Sequence, residues 1–125
     1  MPKRRPKATN EMIRIRNQSI GKLCPITECD TIMGDPSLNN CASATIEHIH
    51  PLDDGGVNAM TNIAIICGGC QRARNETKQH FKNEGEKVPY EYWQVSLVST
   101  LPKIIEAFYA VYHEIFLTKR GLNSH

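Results

Sequence analysis

The sequence predicts a small α+β fold: a two-stranded hairpin followed by a helix, clamped at its base by cysteines. Three observations predict it. Two close cysteine pairs, Cys24/Cys29 and Cys67/Cys70, have 37 residues between them. Two short β-rich runs, over residues 43–49 and 62–66, flank a Gly55-Gly56 turn. Gly68-Gly69 then open a helix predicted over residues 70–83. A clamp matters because a core of about 60 residues buries too little apolar surface to be robust alone.

Taken in order, residues 1–10 read as a basic arm without regular structure, carrying Pro2 and Pro6. Residues 11–21 place Met12, Ile13, Ile15 and Ile20 where a short helix ending at Gly21 would use them. Residues 23–32 hold the first cysteine pair, with Pro25 and Thr27 favouring a tight turn. Residues 33–41, with Gly34, Asp35, Pro36, Asn39 and Asn40, are turn chemistry and predict a loop. Pro51 ends the first β run, and Asp53 and Asp54 are expected to cap the Gly-Gly turn. Gly85 and Pro89 mark a break after the helix. Residues 90–99 are expected to be helical, and Pro102 suits the first turn of a longer helix to residue 119. Along that helix Ile104, Ile105, Phe108, Val111, Tyr112, Ile115 and Phe116 form a wide apolar stripe. The organisation is an arm and short helix over 1–22, a core over 23–84, and a helical extension over 90–120.

Five cysteines among 125 residues are too oddly spaced for a secreted disulfide framework. Two pairs and a spare, Cys41, fit a four-thiolate zinc site instead. The spacing Cys67-x2-Cys70 is usual for a zinc knuckle, and Cys24-x4-Cys29 is a long but workable one. Four thiolates leave no open coordination position, so this zinc is structural. No apolar run nears the roughly 20 residues that span a bilayer. The basic N-terminus lacks the apolar stretch of a secretory signal, which makes a cytoplasmic protein the expectation. Net charge is +2, but six basic side chains face a single acidic one within residues 1–16. That asymmetry suits a polyanion as partner.

The central stretch carries the chemistry. Thr45-Ile46-Glu47-His48-Ile49-His50-Pro51-Leu52 precedes the Gly-Gly turn, Asn58 and Asn62 follow it, and Cys67-Gly68-Gly69-Cys70-Gln71-Arg72-Ala73-Arg74-Asn75 closes it. This pattern resembles the HNH endonuclease family, whose core is a treble-clef-like ββα-metal unit. The resemblance covers residues 24–78. It implies that Glu47 binds a divalent cation such as Mg²⁺ and that His48 is the general base. It also implies that Asn62 pins the loop between the strands. Where the family places a final histidine this chain has Gln71, and Arg74 falls at a common lysine position. Gln71 and Asn75, four residues apart on one helical face, are both candidates for the remaining metal ligand. Asn58 reads as an ordinary turn asparagine, and His50 receives no catalytic role.

The predicted helix carries Arg72, Arg74, Lys78 and Lys82, expected to meet DNA phosphates. The leading expectation is thus a metal-dependent DNA endonuclease, a nickase or weakly specific nuclease. A catalytically degenerate zinc-knuckle nucleic-acid-binding module is the second reading. A nuclease component of a phage packaging or defence complex is the third. The stripe on the last helix is expected to pack on the core, with a homodimer or a protein partner through Phe108, Val111, Tyr112 and Ile115 as the alternatives.

Overall fold

The structure, a computed structural model, describes residues 8–52, 55–86 and 102–123, the last six of these as backbone only. The arm over 1–7, the Asp53-Asp54 cap and the helix expected over 90–99 lie outside the described residues.

Helix α1 (Asn10–Gln18) begins where Thr9 caps it, its hydroxyl accepting from the Met12 amide at 3.1 Å. Met12 is its buried anchor, and the helix packs on the first strand. Beyond it the chain turns through Gly21, whose φ of +89° is the left-handed region that glycine enters without strain. Residues 23–32 then fold back on themselves. Leu23 bridges Ile32, and the Cys24 amide donates to the Thr31 carbonyl at 2.9 Å. The stretch expected to be loop contains one short 3₁₀ turn, Pro36–Leu38, opened by Asp35 accepting from the Ser37 amide at 2.8 Å.

Strand β1 (Ala44–His48) pairs antiparallel with strand β2 (Ile63–Cys67), Ala44 opposite Cys67 and His48 opposite Ile63. Ile65 and Ile66 point to opposite faces of β2, yet both are buried, so the hairpin is covered on both sides. Helix α2 (Gly68–Asn83) starts without a linker, two residues earlier than the sequence predicts. Gly68 donates to the Ser43 carbonyl and Gly69 to the Cys41 carbonyl, tying the helix start to the chain entering β1. A side chain on Gly68 would overlap the Asn40 carbonyl, which is why the junction needs glycine.

Helix α3 (Pro102–Asn123) packs along α2. Ile104, Phe108, Tyr112, Ile115 and Phe116 are buried in the same core as the cysteines. This is the packing role expected of the stripe. Of the four residues of the alternative interface, Phe108, Tyr112 and Ile115 are enclosed by their own chain and Val111 is half-buried.

Candidate metal centre and adjoining polar site

Cys24, Cys29, Cys67 and Cys70 are all buried, form no disulfide, and hold their sulfurs within 4.8 Å of one another. Their convergence follows from local structure. The tight turn between Cys24 and Cys29 closes with the Cys29 amide donating to the Ile26 carbonyl at 3.0 Å, with Glu28 in the left-handed region. Cys67 ends β2 and Cys70 lies in the first turn of α2, so strand and helix present both sulfurs to one point. The Cys67 amide reaches the Cys24 sulfur at 3.4 Å.

A tetrahedral ion with metal–sulfur bonds of about 2.3 Å separates its sulfurs by about 3.8 Å. The Cys29 and Cys67 sulfurs stand 3.8 Å apart. Four thiols this close cannot all ionise without a cation between them. Cys29, facing Cys24, Cys67 and Cys70, is held far below the ordinary thiol range. Cys70, facing Cys24, Cys29 and Cys67, is pushed far above it. A bound divalent cation removes that conflict by stabilising every thiolate together. The cluster is therefore able to hold a metal such as zinc, and Cys41, half-buried, stands outside it.

Helix α3 lies over this cluster. Burial and the neighbouring Cys29 sulfur push the Tyr112 hydroxyl above the ordinary phenol range, the Tyr109 hydroxyl donates to the Thr27 carbonyl in the turn between Cys24 and Cys29, and Phe116 packs against Gly69. From the sequence, Tyr112 and Phe116 belong to the apolar stripe, with a homodimer or partner contact as the alternative for Tyr112, and none of the three aromatics is tied to the cysteines. No spacing rule links a helix more than 30 residues downstream to a sulfur, so that tie became visible only in three dimensions.

The polar residues gather at the far end of β1. Adjacent side chains on a strand point opposite ways, and the pair Glu47-His48 obeys this. Glu47 turns towards α2, where its carboxylate meets the Arg74 guanidinium at 3.4 Å and accepts a hydrogen bond from Gln71. Its side chain is only 12% exposed. Burial pushes the Glu47 carboxyl above the usual carboxylate range, and the positive charge of Arg74 and the Gln71 amide oppose that shift. Gln71 also donates to the Ile46 carbonyl at 3.3 Å. Asn75 is exposed and lines an open cleft of about 440 Å³ with Asn39, Asn40, Cys41, Thr45 and Gln71. Gln71 is thus the candidate that faces Glu47.

Arg74 requires a correction. Expected among the phosphate-binding cations, it is 2% exposed, and it donates to the Ile49 carbonyl at 3.1 Å as well as pairing with Glu47. It faces inward because its side of α2 packs against β1, where Glu47 and the Ile49 carbonyl receive it. The remaining basic residues of α2 differ in setting. Arg72 is exposed and paired with Glu76 at 3.2 Å, Lys78 is half-buried near Glu47, and Lys82 is exposed.

His48 projects to the loop instead, its Nε2 lying 2.9 Å from Asn58 Oδ1. Asn58, read from the sequence as an ordinary turn residue, is the contact that reading missed; its only signal was a polar residue just past the Gly-Gly turn. Asn62 accepts from the His50 amide at 2.9 Å and donates to the His50 carbonyl at 2.9 Å and the Val57 carbonyl at 2.8 Å. One carboxamide thereby spans the loop from both sides, using its acceptor and both donor hydrogens.

Among the described residues no helix is long and apolar enough to cross a membrane. Comparison of the chain with protein-family models, with curated proteins and with solved structures finds no match in any of the three.

Proposed function

We propose that this chain is a metal-dependent DNA endonuclease of the HNH kind, built on a structural zinc held by Cys24, Cys29, Cys67 and Cys70. The observation that carries the proposal is the junction of two arrangements in one ββα unit. The four sulfurs clamp β2 to α2, and the same unit sets Glu47 opposite Gln71 while His48 turns to the loop held by Asn62.

In this reading His48 removes the proton of the attacking water. Asn62 keeps the loop, and so the imidazole, in place. Glu47 is the carboxylate donor for a hard cation. Gln71 becomes the second once its side-chain amide turns its oxygen to the site, in place of the NH2 that now donates to the Ile46 carbonyl. Two protein oxygens suit Mg²⁺, which keeps several of its waters. Such a cation supplies charge stabilisation at the scissile phosphate and the leaving oxygen. Arg72, Lys78 and Lys82 give α2 its positive charge towards the sugar–phosphate backbone.

A second reading, nucleic-acid binding without cleavage, is favoured by one specific contact. The guanidinium of Arg74 already neutralises the carboxylate that a metal would use. Supercoiled plasmid incubated with the purified protein in Mg²⁺, Mn²⁺ or EDTA, beside His48→Ala, separates the two. Metal-dependent conversion to open circles, lost in the variant, supports the endonuclease. Retarded plasmid that is never nicked in either metal supports binding alone.

A further inference from the structure

We propose that Asn58 is a positioning residue that fixes His48 in its Nε2–H tautomer and leaves Nδ1 as the basic atom of the ring. The nuclease reading gives this lock its chemical purpose, but the lock itself rests on geometry.

A carboxamide oxygen has no hydrogen to give, so a ring nitrogen 2.9 Å from Asn58 Oδ1 must be the donor. In a neutral imidazole one nitrogen carries the proton and the other keeps its lone pair. With Nε2 committed to Asn58, the lone pair belongs to Nδ1. A histidine base is oriented in this way wherever a third group accepts from its other nitrogen.

The acceptor is held in place by the loop around it. Asn62 grips the Val57 carbonyl, one residue before Asn58, and both backbone groups of His50, two residues after His48. Donor and acceptor therefore hang from two points that a single side chain ties together. Gly56 tightens the same crossing: its amide donates to the Pro51 carbonyl at 2.8 Å, and a side chain there would overlap the His50 carbonyl. Placement of this kind lets the ring hold one orientation without reorganising when a water arrives.

The test uses the zinc-loaded full chain, labelled with ¹⁵N, at a pH where His48 is neutral. Long-range proton–nitrogen spectra of the wild type should show a protonated Nε2, an unprotonated Nδ1 and a downfield ring N–H resonance protected from exchange. Asn58→Ala should lose that protected resonance, and Asn58→Asp, which keeps an acceptor oxygen, should retain it. In plasmid nicking, Asn58→Ala should lower kcat by about 10–100-fold, the range for removing a histidine's orienting partner, with KM for DNA almost unchanged. A protonated Nδ1 in the wild type, or a ring N–H equally protected in Asn58→Ala, overturns the proposal. So does unchanged kcat in Asn58→Ala in a protein that nicks. A wild type that never nicks but shows the Asn58-dependent resonance removes the nuclease reading and leaves the lock standing.

Discussion

The carboxylate of Glu47 and the guanidinium of Arg74 face each other at 3.4 Å where β1 meets α2, almost wholly out of water. Neither charge would be stable there alone. A pair in this setting contributes little net stability relative to apolar residues, but breaking it leaves an uncompensated buried charge. The contact also ties the end of β1 to the middle of α2, the two elements that carry Glu47 and Gln71.

Arg74→Met should therefore destabilise the fold by about 3–5 kcal/mol, the usual cost of orphaning a buried charge. Adding Glu47→Gln to it should recover part of that loss, because the neutral amide needs no counter-charge. Urea unfolding of the two single variants and the double variant measures the coupling. Additive effects would show that the pair does not interact.

The purified chain should carry one zinc ion. Cys70→Ser should lose the metal and the cooperative unfolding transition together, since binding free energy at such a site is folding free energy. Cys41→Ser should keep both, because Cys41 stands outside the cluster. Elemental analysis and circular dichroism of the two variants decide the point.

Tyr112→Phe removes the hydroxyl that neighbours the Cys29 sulfur while leaving the ring that packs on Phe116 with centroids 4.5 Å apart. The expected loss is about 0.5–1.5 kcal/mol, one hydrogen bond's worth. Zinc should pass to a chromophoric chelator faster than from the wild type. Phe116→Ala, which empties a buried ring site over Gly69, should cost about 3–5 kcal/mol and speed the transfer further. Equal transfer rates in all three proteins would mean that α3 plays no part in retaining the metal.

Asp35 accepts from the backbone and side chain of Ser37, and those bonds hold its carboxyl below the usual aspartate range. Its contribution to stability is therefore present above the unfolded value of about 3.9 and is lost as pH falls through the lower folded value. Stability measured at successive pH values through that window should fall less steeply in Asp35→Ala than in the wild type. Titration of the Asp35 carboxyl carbon by NMR reads the depressed value directly.

Much of the molecule was legible before any coordinates. The cysteine spacings announced the four-sulfur cluster, and the β-rich runs and Gly68-Gly69 marked the hairpin and helix to within one or two residues. The cluster, hairpin and helix signals depend on short-range periodicity, turn chemistry and ligand spacing, which neighbouring residues carry by themselves. A role for Asn62 in the loop came only from the family resemblance, and its three bonds to His50 and Val57 are visible in the structure alone.

The amino-acid order by itself determined which residues carry sulfur, imidazole and carboxylate, and in what sequence strand, loop and helix bring them. Only the tertiary structure decided that Arg74 turns inward to Glu47, that Asn58 meets His48, and that Tyr112 covers Cys29. A row of basic residues on a helix looks the same whichever side is buried. The choice is made by the surface packed against it, and here that surface is β1, with a nearly buried carboxylate to be neutralised.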